Sequence, residues 1–122
     1  MIEGVNGGDL IKVVWLDASE HLRRKIDDPE AITSTYGIFL SFKGRINKHL
    51  ILINEYVYFP EDNMILCKFI CIPSKMILRV KILKNKVIED SILNRMISIS
   101  KKYRVSSLEK GIGFYEKTKI DS

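Results

Sequence analysis

Eight residues of this chain have types and spacing that suit binding of a polyanion. They are Lys68, Arg79, Lys81, Lys101, Lys102, Arg104, Tyr56 and Tyr58. Within Met76–Lys84 the order is Leu78-Arg79-Val80-Lys81-Ile82. In an extended strand this alternation sends Leu78, Val80 and Ile82 to one face and Arg79 and Lys81 to the other. A row of cations on one face neutralises phosphates and carries no sequence information by itself. Lys84, Lys86 and the cluster Lys101, Lys102 and Arg104 extend the basic character. Tyr56 and Tyr58, with Tyr36, Phe39 and Phe59 nearby, supply rings on which bases stack. The competing reading is a solvated strand face, where Lys and Arg keep an edge soluble, with the phenylalanines in a core.

The charge is uneven. The chain has 122 residues and a formal net charge of +5. Residues 1–60 hold 7 Lys plus Arg and 8 Asp plus Glu, a net of −1; residues 61–122 hold 13 and 7, a net of +6. The basic character therefore belongs to the second half and favours a polyanionic partner.

Other chemistry finds less support. Asp17, Ser19, Glu20 and His21 are close in sequence, but a triad is defined by spatial roles and not by adjacency. A polar loop after a strand explains them as well. Gly111-Ile112-Gly113 lacks the Lys-Ser/Thr of a phosphate-binding loop. Cys67 and Cys71 share a strand face about 13 Å apart, too far to hold one metal ion. They read as small core residues rather than a disulfide framework. Neither His21 nor His49 has a ligand-spaced neighbour. The expectation is a protein that is not an enzyme and has no metal or cofactor.

Several elements must position these residues. Residues 1–9, with three glycines, read as a flexible lead-in. Leu10–Ala18 reads as a first strand, and residues 18–35 as a polar loop or short helix broken by Pro29. Thr35–Lys43 is a second strand, with Ile38, Leu40 and Phe42 as its core side. Lys43–Asn47 is a hairpin turn, Leu50–Val57 a third strand, and Tyr58–Asn63 a second turn. Met64–Ile72 and Met76–Leu83 are strands four and five, separated by a pivot at Pro73-Ser74-Lys75. The period then lengthens to that of a helix through Val87, Ile88, Ile92, Leu93, Met96, Ile97 and Tyr103. Acidic residues at its start and basic ones at its end suit the helix dipole. Trp15 is expected in the core. Phe114 and Tyr115 are candidate anchors for the tail.

Five short strands and one helix imply a mainly β (α+β) domain. The expected architecture is a small five-stranded SH3/Sm-like β-barrel over 10–84, with an amphipathic helix and tail over 85–122. Closure would remove two open edges. No apolar run is long enough to span a bilayer, and no secretion signal opens the sequence. The expected place is the cytoplasm.

Val13-Val14-Trp15-Leu16-Asp17-Ala18, Thr35-Tyr36-Gly37-Ile38 and Ile72-Pro73-Ser74-Lys75-Met76-Ile77 resemble motifs of a loose set of small proteins from phages and archaeal mobile elements. The resemblance covers residues 11–83 and implies a small accessory protein, with no catalytic residue to carry over. In strand order the chain is also similar to Sm-like RNA-binding proteins. Those have an Ile-Arg-Gly type stretch before the last strand, where this chain has Ile72-Pro73-Ser74. The functional expectation is sequence-nonspecific nucleic-acid binding through the basic second half. The alternative is a protein-interaction module of a virus or mobile element: an inhibitor of a host defence complex, or a self-assembling protein.

Overall fold

The computed structural model describes residues 3–17, 31–108 and 114–117, with residue 31 and the last four as backbone. Its strands are β1 (Leu10–Asp17), β2 (Ala31–Lys43), β3 (His49–Phe59), β4 (Met64–Pro73), β5 (Ile77–Lys84) and β6 (Phe114–Lys117). Its helices are α1 (Asp90–Lys102) and the single turn α2 (Val105–Leu108). A 3-10 turn, Ser74–Met76, joins β4 to β5 at the expected pivot. All strands belong to one sheet in the order β5-β1-β2-β3-β4-β6, and every pair is antiparallel. Among the described residues no ladder joins the two ends, so the sheet is unclosed. No helix among the described residues is long and apolar enough to cross a membrane.

The core lies on both faces of this sheet. Leu50, Ile51, Leu52 and Ile53 of β3 are all buried to within 1%, as a continuous apolar run demands. Ile51 and Ile53 join Leu40, Ile65, Cys67, Phe69 and Cys71 beneath Leu93, Met96 and Ile99 of α1. Leu50 and Leu52 join Ile11, Val13, Phe39 and Ile72 on the opposite face, packed round by Trp15, Phe42, Ile77, Val80 and Ile82. Apart from Val5, that second cluster is drawn from strands of this sheet alone. A sheet face is buried by its own strands only when the sheet curls over on itself.

Four extra residues give the sheet room to curl. Register shifts leave Leu40 unmatched on β2, Asn54 on β3, and Leu78 and Leu83 on β5. Each is a bulge that bends its strand and exchanges the faces beyond it. The bulge at Leu40 corrects the expectation that Ile38, Leu40 and Phe42 share one core side. Leu40 and Ile38 lie under α1, whereas Phe42 meets Phe39 edge-on in the other core, with ring centroids 5.6 Å apart. β3 also outruns its expected end at Val57 and continues to Phe59. Trp15 is half-buried, and its indole N–H donates to Thr35 Oγ1 at 2.9 Å.

The N-terminal segment is not the free lead-in expected from its glycines. Gly8 N–H donates to Phe39 C=O at 2.8 Å, and Phe39 N–H donates to Asp9 C=O at 2.9 Å. Asp9 is 2% exposed. Its carboxylate accepts from Asn6 N–H at 2.8 Å and from Lys86 N–H at 2.9 Å. Lys86 holds φ at 44°, in the left-handed region, so this bond fixes a turn that ordinary residues disfavour. The segment approaching α1 is thereby tied to the start of β1. The helix packs in the same chain, and Lys43 Nζ donates to its Ser100 C=O at 2.9 Å. This satisfies a carbonyl that the helix end leaves without an intrahelical donor.

The residues after α2 showed no clear period, yet the backbone of Phe114–Lys117 pairs with Met64–Cys67 as β6. Side-chain anchoring by Phe114 and Tyr115, the loop with Ser19, Glu20 and His21, and Gly111-Ile112-Gly113 lie outside the described residues.

Asp9→Ala is expected to lower unfolding stability by about 2–3 kcal/mol, because two N–H donors lose their acceptor. Asp9→Asn, which keeps one acceptor oxygen, should lose less. Urea denaturation of both variants checks this; equal stability of Asp9→Ala and wild type would remove the carboxylate from its structural role.

Candidate nucleic-acid interface

The eight residues named from the sequence fall on three parts of the fold. Arg79 and Lys81 lie on β5, exposed, at the free edge of the sheet. Lys101, Lys102 and Arg104 surround the C-terminus of α1, beside the end of β2 held by Lys43. Lys68, Tyr56 and Tyr58 lie on the outer half of the β3–β4 hairpin. Lys68 Nζ is 2.9 Å from Glu55 Oε2, with both side chains about half exposed. Such a surface pair contributes about 0–1 kcal/mol, but it does lower the cationic character of Lys68. The eight therefore do not form one continuous patch.

The cross-strand register assembles a different group. Val80 and Ile82 of β5 face the strand-only core with their partners Val13 and Ile11. Arg79 and Lys81 therefore point to the other face. Lys81 stands opposite Lys12 of β1, and Lys12 stands opposite Tyr36 of β2. Directly opposed residues in a sheet lie on one face with Cβ atoms about 5 Å apart. Lys81, Lys12 and Tyr36 thus form a row across three strands. Arg79 lies in the next row beside Val14 and Ser34. Lys12 Nζ sits 5.8 Å from the centre of the Tyr36 ring, within cation–π range.

The row ends where the sheet splits. β2 pairs with β1 through Ala31–Ile38 and with β3 only from Ile38 onward. β3 beyond Ile53 pairs with β4 alone. The two strands touch at Gly37, where a Cβ would lie 2.8 Å from the Ile53 carbonyl oxygen. Beyond that contact they part, leaving an open cleft of about 410 Å³. Its walls include Tyr36, Gly37 and Ile38 from β2, and Asn54, Glu55 and Tyr56 from β3. Arg95 of α1 braces the hairpin that carries Tyr56. Its guanidinium donates to the side-chain and main-chain oxygens of Asn63 at 2.9 and 2.8 Å.

A second hollow of about 790 Å³ follows β5. All six residues Ile77–Ile82 line it, with Glu3, Val5, Phe42, Lys48 and Ser74. Lining by consecutive residues means that the strand's backbone edge runs along the groove. The Ser74 hydroxyl is buried there without a hydrogen-bond partner.

The sequence pointed to Arg79 and Lys81 but missed Lys12, Asn54 and Glu55. Lys12 sits in the half with net negative charge, and only the register joins it to β5. Asn54 is made available by a bulge, which no period-two pattern reveals. Cys67 and Cys71 are both buried, as expected of core residues. Among the described residues no group of three or more metal-ligating side chains gathers.

Gly37→Ala is expected to cost about 1–3 kcal/mol, because the added methyl meets backbone that cannot swing away. An unchanged urea midpoint would show that β2 and β3 have room to separate at this point.

No protein-family model, no curated protein and no solved structure matches this chain.

Proposed function

We propose that the chain is a small accessory nucleic-acid-binding protein, built on an SH3-like barrel that has opened between β5 and β4. The strand order supports the barrel reading, since β5 returns to β1 beside a four-strand meander. The observation that carries the function is the row Lys81–Lys12–Tyr36, with Arg79 alongside. Three cations reach outward from adjacent strands, next to an exposed aromatic ring. Phosphates sit on the cations, and the ring offers a stacking surface. Lys101, Lys102 and Arg104 form a second, separate basic cluster at the helix end, beside Lys43. An origin in a virus or mobile element rests on the sequence motifs alone.

Three phosphate contacts give a defined salt dependence. The slope of log affinity against log salt is expected between about −2 and −3, for single and double strands respectively. Lys12→Glu with Lys81→Glu should weaken binding roughly tenfold or more. Replacing Lys101 and Lys102 should do less. Fluorescence anisotropy with labelled DNA and RNA at about 50 and about 200 mM salt reads all three quantities. Affinity that ignores salt would sink the proposal.

A second reading is favoured by the groove along β5. β6 covers the outer edge of β4, whereas among the described residues no strand pairs with the outer edge of β5. An extended segment of a partner protein can add to such an edge as a further strand. Arg79, Lys81 and Lys48 outnumber Glu3 in the groove's lining and favour an acidic one. A second copy of this chain would set β5 cations against β5 cations, an unfavourable pairing. Hydrogen exchange separates the two readings. An added strand slows the outward amides of Ile77–Ile82, while a nucleic acid on the outer face leaves them exchanging freely.

A further inference from the structure

We infer that the cleft between β2 and β3 receives one unpaired base, which makes single-stranded nucleic acid the favoured ligand. This inference rests on the nucleic-acid reading above and sharpens it.

The two rings at the cleft are poorly explained by folding alone. Tyr36 is 54% exposed and Tyr56 is 38% exposed, although each lies on a strand that also carries buried core residues. On β2 and β3 the outer face is covered by α1 at Leu40, Ile51 and Ile53. That cover stops short of the split, and the rings stand just past it on either strand. Among the described residues no strand or helix fills the gap.

The walls suit a flat, polar-edged ligand. Two aromatic rings supply faces for stacking, which is tolerant of base identity. Asn54 offers both donors and an acceptor, and the Glu55 carboxylate accepts only. Lys68 balances the Glu55 charge from the neighbouring strand at 2.9 Å, so the carboxylate can face a base N–H without repelling the ligand outright. The volume of about 410 Å³ falls in the lower part of the usual range for small-ligand pockets, about 300–1,000 Å³. On the Tyr36 wall the cation is Lys12, already against the ring, with Lys81 next in the row. A base in the cleft therefore leaves its own backbone leading onto the phosphate track.

A duplex cannot use this arrangement. Its bases are stacked on each other and their edges are paired, so only a splayed or unpaired base reaches the rings. The lysine row would still hold duplex phosphates, which is why the two ligands report on different parts of the site.

The test compares a ten-nucleotide single strand with the duplex of the same sequence, using the full chain and fluorescence anisotropy. The single strand is expected to bind more tightly than the duplex. Tyr36→Ala should weaken single-strand binding about five- to hundredfold and leave duplex binding nearly unchanged. Tyr36→Phe, which keeps the ring, should retain the preference. A single strand carrying the fluorescent base 2-aminopurine should lose emission on binding wild-type protein, because stacking on tyrosine quenches it; this readout needs no variant. Equal affinity for both ligands, or unquenched 2-aminopurine, overturns the cleft while leaving the electrostatic reading standing. Salt-insensitive binding, or none to either ligand at low salt, overturns both.

Discussion

The rest of the structure depends on four consecutive residues that lose all contact with water on both sides of one strand. Leu50, Ile51, Leu52 and Ile53 each release about 1.5–3 kcal/mol when fully buried, but only if both faces of β3 are covered. The chain has one substantial helix among its described residues, and that helix covers one face. The other face must be covered by the sheet itself. Curling follows from this shortage of layers, and the four bulges are where strands depart from straight pairing to allow it. A flat sheet of the same order would leave Leu50, Leu52, Ile11 and Val13 wet.

The same constraint opens the candidate site. A curling sheet cannot keep every pair in register along its whole length. β2 is 13 residues long and serves β1 with one half and β3 with the other. The exchange occurs at Ile38, next to the one residue whose lack of a side chain lets the backbones meet, Gly37. Past that point the sheet becomes two arms. Past the split β3 is exposed, β2 is exposed or half-buried from Ile32 to Tyr36, and these stretches carry Tyr56 and Tyr36. The helix stabilises one arm from outside through Arg95 and Asn63. Asn63 also takes the left-handed turn conformation, with φ of 47°, which Asn tolerates better than most residues. The cleft is thus a by-product of covering the core, with the Gly37 contact at its base and the hairpin braced by Arg95 on one side.

Much of this was legible in the sequence, and the limits have physical causes. The strands of β1 to β5, the pivot at Pro73 and the helix follow from periodicity and turn residues, and their ends fall within a few residues of expectation. Ile99 of α1 was absent from the expected helical stripe although it is fully buried. β6 was invisible because four residues are too short to show a period. Asp9 looked like part of a mobile leader, since nothing local says that a carboxylate will be buried against two amides from distant segments. Face assignments failed on β2 because one bulge inverts every side chain beyond it. The candidate site was half legible. Composition identified the basic strand, but the charge count by halves hid Lys12. Which residues stand abreast is a matter of register, and register is set by the whole sheet.

The cations on β5 also answer to a constraint that has nothing to do with a ligand. β5 is the sheet's exposed edge, and an exposed regular edge invites pairing with other chains. Bulges at Leu78 and Leu83 confine its regular pairing to the stretch Arg79–Ile82, and Arg79 and Lys81 place charge within that stretch. Edge protection alone would explain those two residues. It does not explain Lys12, which lies on β1, one strand in from the edge, where a cation protects nothing. Nor does it explain why an exposed tyrosine follows Lys12 in the same row. An interior strand of a sheet usually places apolar or neutral residues between neighbours, because two cations directly opposed are mutually unfavourable. Lys12 and Lys81 are so opposed. A bound anion between them would turn that repulsion into attraction, so the proposed polyanionic ligand would resolve this local conflict.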